Sequence, residues 1–184
     1  MVFNLFKKKP TGQTFTDKAF MTSDGKMNAC VVLAKSDPTA IFIAWFPGTS
    51  REFRSVFIRH GLEETRVIDV KHLHSAMVEN KNAVFVEHFP IHQKELDLVQ
   101  RWSQERFVVY SSLDEPLFKF FGSEKMLPLM KMLGMNEDEL VEHSMVTKSI
   151  VRAQEKIASK VSLEQSADSQ EEWMKKNLGE RSEK

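Results

Sequence analysis

Residues 40–50 read Ala40-Ile41-Phe42-Ile43-Ala44-Trp45-Phe46-Pro47-Gly48-Thr49-Ser50. The run up to Phe46 is continuously apolar rather than alternating, which suits a strand covered on both faces. Pro47 and Gly48 break it. Thr49 or Ser50 can then cap a helix in which Phe53, Val56 and Phe57 share one face. Outward from this unit the same alternation repeats. Residues 66–70, 82–89 and 106–110 read as strands, and 91–102 reads as a helix with Leu96, Val99 and Trp102 on one side. Upstream, 29–34 is a further short apolar run and is read as another strand. Strands alternating with helices predict crossover units and a largely parallel sheet. From about residue 113 the pattern becomes helical, over 115–133, 144–160 and 169–178.

Composition narrows the function classes. The chain has 184 residues, with Lys plus Arg 26 and Asp plus Glu 26, so its formal net charge is zero. That argues against a broadly basic nucleic-acid binder. The one cysteine, Cys30, rules out a disulfide framework and a four-cysteine zinc site. Cys30 sits in an apolar run, where cysteine acts as a small hydrophobe rather than a nucleophile. No window approaches the roughly 18 apolar residues of a spanning helix. Val2, Phe3, Leu5 and Phe6 precede Lys7-Lys8-Lys9, the reverse of an export signal. They offer at most a weak peripheral membrane anchor. The chain therefore reads as a cytoplasmic protein.

Two blocks further along carry a family resemblance. The first is Phe107-Val-Val-Tyr-Ser-Ser-Leu-Asp-Glu-Pro-Leu-Phe-Lys-Phe-Phe-Gly-Ser-Glu-Lys125. The second is Gly134-Met-Asn-Glu-Asp-Glu-Leu-Val-Glu-His-Ser-Met-Val-Thr-Lys-Ser-Ile-Val-Arg-Ala-Gln-Glu-Lys156. In order and spacing they resemble the end of the second motor domain of SecA, the preprotein translocase ATPase, and the start of its helical scaffold. Val86-Glu87-His88-Phe89-Pro90-Ile91-His92-Gln93-Lys94-Glu95-Leu96-Asp97 resembles the family more loosely. The resemblance implies a three-layer, mostly parallel, RecA-like α/β sheet with a C-terminal helical extension. It divides the chain into an N-terminal segment (1–28, partly flexible), the α/β domain (29–113), the extension (114–160) and a charged tail or short helix (161–184).

The departures from SecA bear on function. In the family an Ile-Asp pair, which Leu96-Asp97 resembles here, leads into a Gly- and Arg-rich loop whose arginines reach nucleotide phosphates. Here 98–106 contains no glycine and reads as plain amphipathic helix. No Gly-x-x-x-x-Gly-Lys-[Ser/Thr] occurs in the chain, so the metal and phosphate positioning that phosphoryl transfer needs is missing. The expectation is a non-catalytic interaction or regulatory module linked to protein translocation, with no cofactor. Its partner would be a protein or a second copy of the chain, not nucleic acid.

Three groups of residues are candidates for a site. Gly48, Thr49, Ser50 and Arg51 lie between a buried strand and a helix start, a ready anion position. His72, His74, Glu87, His88 and His92 can be imagined as a metal or cleft cluster, although two loose histidine pairs carry little metal specificity. Met126, Met130, Met132 and Met135 supply an adaptable apolar surface for a partner. The strand-end loops near Gly48–Arg51 and His72–His92 also support an alternative reading, a small α/β enzyme or an anion- or nucleotide-binding protein.

Overall fold

The computed structural model describes residues 14–179, apart from 101, 105, 121, 133, 137, 138, 142 and 143. The chain enters through β1 (Thr14–Phe20). The Thr22 hydroxyl then accepts the Gly25 amide at 3.1 Å and starts α1 (Ser23–Ser36). The continuous apolar run forms β2 (Ala40–Ala44), buried along its whole length. Pro47 occupies the first position of α2 (Pro47–Arg59), where its missing N–H costs nothing. Then follow β3 (Val67–Asp69), a 3₁₀ turn at Val70–His72, α3 (Ser75–Val78), β4 (Asn82–Phe85), α4 (His92–Val99) and β5 (Arg106–Ser112). The remaining elements are α5 (Pro116–Lys119), α6 (Ser123–Met132), the two-residue β6 (Leu140–Val141), α7 (Ser144–Ala158) and α8 (Gln170–Leu178).

The sheet order is β3-β2-β4-β5-β1-β6. The first five strands are parallel, and only β6 runs antiparallel, against Ala19 and Phe20. Successive side chains of a strand point to opposite faces, so β2 feeds two cores. Ala40, Phe42 and Ala44 meet Cys30, Val31, Phe53 and Phe57 of α1 and α2. Ile41 and Ile43 meet Val78, Phe85, Val99 and Phe107 on the other face. This is a three-layer α/β sandwich of the RecA-like kind. A third core lies across the carboxyl ends of the strands. Met21, Phe46, Phe89 and Leu113 are covered there by Leu117 and Phe118 of α5, Ile150 and Ile157 of α7, and Trp173 of α8. No helix among the described residues is long and apolar enough to cross a membrane.

The structure corrects the reading of the N-terminal part. Residues 29–34 lie inside α1 and are not a strand. Met27, Cys30, Val31 and Ala34 are buried at helical spacing, while Val32 is 65% exposed, which a strand covered on both faces does not allow. The sheet begins instead at β1, inside the segment expected to be partly flexible. Residues 2–9, with the apolar start and the three lysines, lie outside the described residues.

Trp173 is only 1% exposed, so α8 belongs to the third core. Replacing it, Trp173→Ala, is expected to cost about 3–5 kcal/mol in urea unfolding. A cost below about 1 kcal/mol would mean that α8 is appended to the fold rather than part of it.

Candidate functional site at the carboxyl ends of the strands

All five parallel strands end on the same edge, where ligands of open α/β sheets bind. In this chain the edge is crowded with buried polar groups. One follows β4. The carboxylate of Glu87 accepts two backbone amides on Oε1, from Trp45 at 2.9 Å and Phe46 at 3.0 Å. Its Oε2 accepts the Thr49 hydroxyl at 2.8 Å. Beside it, the buried Lys26 ammonium donates to the Val86 carbonyl at 2.8 Å and to Glu115 Oε1 at 2.5 Å. Glu115 Oε1 also accepts the Ser112 amide at 3.1 Å. Asp114 accepts the amide and hydroxyl of Ser23 at the start of α1.

Burial pushes the Glu87 carboxyl up to about 7, and Lys26, Thr49 and Phe46 offset this only in part. Burial pulls the Lys26 ammonium down, but the Glu115 charge and hydrogen bond outweigh it and the net displacement is upward. Cys30 is pushed up to about 12 by burial, which keeps it an unreactive thiol.

The second group surrounds His88, which is 2% exposed. Its Nε2 meets Asp17 Oδ1 at 2.5 Å and its Nδ1 meets Glu95 Oε1 at 2.9 Å. Glu95 Oε1 also accepts the Phe89 amide, while Oε2 accepts Gln154 Nε2 at 3.0 Å and lies 3.0 Å from His92 Nδ1. Gln154 donates in addition to the Phe89 carbonyl, and Gln170 donates to the His88 carbonyl while accepting the Leu117 amide. Burial alone would discharge the imidazole. Glu95 and Asp17 reverse this and lift His88 to about 10. In return Glu95, raised by burial but held by His88, falls to about 2, and Asp17 also falls below its ordinary value. This is an imidazolium shared by two carboxylates, and each heteroatom contact pins a different element.

The structure brings Glu87, His88 and His92 to this edge, while His72 and His74 lie exposed in the connection between β3 and α3. Among the described residues no group of three or more His, Cys, Asp or Glu is arranged to hold a metal. Gly48, Thr49, Ser50 and Arg51 are not a loop before a helix, because α2 already begins at Pro47. Most of their donors have internal partners, but the buried Ser50 hydroxyl has none among the described residues. The Gly48 amide donates to the Asp168 carbonyl at 2.8 Å, Thr49 serves Glu87, and Arg51 pairs with the Asp168 carboxylate. Ser50 is buried and its amide continues the helix to the Phe46 carbonyl. Of the methionines, Met132 is 84% exposed and Met135 packs on the third core, while the side chains of Met126 and Met130 on α6 lie outside the described residues.

Sequence reasoning missed Asp17, Lys26, Glu95, Glu115, Gln154, Asp168 and Gln170. Two carried a local signal: Glu95 follows His92 by three residues on one helix, and Gln154 belongs to the Ala153-Gln154 pair of the second resembling block.

A stretch of 51 residues, 28% of the chain, is 53% identical to protein translocase subunit SecA of Acidithiobacillus ferrooxidans. Stretches of 50 residues are 48% identical to protein translocase subunit SecA 1 of Chlorobium chlorochromatii and 46% identical to SecA of Chlorobaculum tepidum. The chain therefore carries a SecA-like segment. The match spans only 5–6% of the length of these relatives. No family model matches the chain.

Two substitutions probe this edge. His88→Ala leaves Asp17 and Glu95 buried without their cation and is expected to cost about 3–5 kcal/mol in chemical unfolding at pH 7. Glu87 has a raised value in the folded state, so its stabilisation is present below pH 4.5 and is lost as pH rises through about 7. Glu87→Gln should therefore flatten the decline in melting temperature across that window. An unchanged pH profile would show that Glu87 does not titrate on folding. The His88 contribution is present below pH 6.5 and fades as pH rises through about 10, so this loss should remain in the Glu87→Gln protein.

Proposed function

We propose that the chain is a non-catalytic SecA-like α/β domain that works as a cytoplasmic protein-interaction or regulatory module linked to protein translocation. One observation carries this reading: the Trp45, Phe46 and Gly48 amides, the Thr49 hydroxyl and the Lys26 ammonium at the strand ends are occupied by carboxylates and carbonyls of the chain itself. Glu87 sits on the Trp45 and Phe46 amides and the Thr49 hydroxyl. Glu115 sits on Lys26, and Asp168 on Gly48 and Arg51. A nucleotide phosphate would have to displace Glu87 and Glu115 from a buried, hydrogen-bonded arrangement and Asp168 from an exposed one. The sequence adds that no phosphate-loop motif occurs and that 98–106, where the family has a Gly- and Arg-rich loop, contains no glycine. The helix expected there ends at Val99, and the described residues that follow are turn, bend and loop before β5. Helices α5, α7 and α8 also cover the edge where a motor would need open access.

A second reading, a small anion-binding protein or enzyme, draws on one specific feature. A hollow of about 190 Å³ remains between the starts of α1, α2, α5 and α8, lined by Lys26, Thr49, Glu52, Glu87, Glu115 and Gln170 among others. Glu87, with its value near 7, would be its acid–base group. Both Glu87 oxygens are already hydrogen-bonded within the chain, which favours the first reading.

Purified protein with magnesium and ATP or GTP is expected to release phosphate at the rate of a heat-denatured control. Turnover above that control, abolished by Lys26→Ala in a folded protein, would overturn the non-catalytic reading in favour of the second.

A further inference from the structure

The α7 helix turns one side inward and one side outward. Ile150, Ala153, Gln154 and Ile157 are buried against the strand ends. On the outer side Lys148, Arg152 and Lys156 are exposed, and Lys160 continues the row in the turn just past the helix. Residues four apart are about 6 Å apart along a helix axis, so the row is a cationic line of about 18 Å. Among the described residues no carboxylate forms an ion pair with any of these four. Glu155 is the one acidic side chain on the exposed part of this helix. Lys94 pairs with Glu164 and Lys176 with Glu172, whereas this row has no such partner among the described residues.

The row is fixed at its C-terminal end. The ammonium groups of Lys156 and Lys160 lie 5.9 and 5.6 Å from the centre of the Phe120 ring, and the exposed Lys119 is the preceding residue of that chain segment. Cation–π contact restrains both lysines without discharging them. Phe120 already carries two cation contacts and packs on the third core, which leaves less of its ring for stacking with a base. Nucleic acid would then be held mainly by phosphate contacts. A helical partner fits better. Carboxylates placed every fourth residue on a second helix repeat the same rise of about 6 Å, and rows of i±4 side chains interdigitate when two helices cross.

We propose that the outer face of α7, with Lys148, Arg152, Lys156 and Lys160 in a row, docks an acidic helix of a partner protein. The proposal rests on the interaction-module reading and names the chemistry of the partner. Complementary charge would supply fast, oriented encounter more than raw affinity, so binding should weaken steeply with salt.

The test uses the full chain and three fluorescent probes at low salt: an alanine-based helical peptide with Glu at every fourth position, a scrambled peptide of the same composition, and a single-stranded RNA 12-mer. The proposal expects the ordered peptide to bind about tenfold more tightly than the scrambled one and more tightly than the RNA. It expects Arg152→Glu with Lys156→Glu to abolish that preference while circular dichroism and melting stay unchanged. The same double variant should now bind a peptide with Lys at every fourth position. Equal binding of ordered and scrambled peptides, tighter binding of the RNA, or indifference to the double substitution would each overturn it. If the peptides fail and no nucleotide turnover is seen, only the docking face is lost. If turnover is seen, the module reading fails whatever the peptides do.

Discussion

A protonated histidine held between two carboxylates, out of reach of water, is the constraint around which this fold is arranged. His88 follows β4, Asp17 lies on β1 and Glu95 on α4. Gln154 brings α7 to the same carboxylate, and Gln170 brings α8 to the His88 carbonyl. Apolar burial supplies most of the driving force for folding, but it has no direction. A buried ionic cluster tolerates few arrangements, because each group left unpaired is costly. Here it selects the arrangement in which the C-terminal helices lie over the strand ends rather than elsewhere on the sheet.

That arrangement decides what the strand ends can do. In a parallel α/β sheet the carboxyl edge gathers helix starts and free amides, and in many proteins these hold an anionic ligand. In this chain Glu87, Glu115, Asp114 and Asp168 take such positions. The same chemistry that would bind a phosphate is used to join elements to one another. Gly48 shows how close the fit is: a Cβ there would stand 2.7 Å from the Asp168 carbonyl oxygen. Fold and activity are separable, so a SecA-like segment does not by itself carry the activity of the motor.

The central strands were legible from sequence because continuous apolar runs bounded by Pro, Gly and charged residues have few other readings. The unit from β2 to α2, the strands β4 and β5, and the helices α4, α7 and α8 follow from such signals. The start of the chain was harder. Thr14–Phe20 carries Asp17 and Lys18, so it reads as polar, and Asp17 is buried only because His88 lies opposite. Residues 29–34 read as a strand because the apolar run is continuous, yet they lie in α1, which the cap at Thr22 starts upstream of the run. Glu87, His88 and His92 stood out by residue type. Their partners did not, because Asp17 is 71 residues from His88 and Gln154 is 59 residues from Glu95. Contacts of that range follow from topology and leave no local pattern.

The central claim is that the Trp45, Phe46 and Gly48 amides at the carboxyl edge are already satisfied by the chain. Amide hydrogen exchange at Trp45, Phe46 and Gly48, read with and without millimolar magnesium–ATP, tests it most directly. The account predicts slow exchange at all three amides in the free protein and no change when nucleotide is added. Fast exchange in the free protein, with protection appearing only when nucleotide is present, would contradict it.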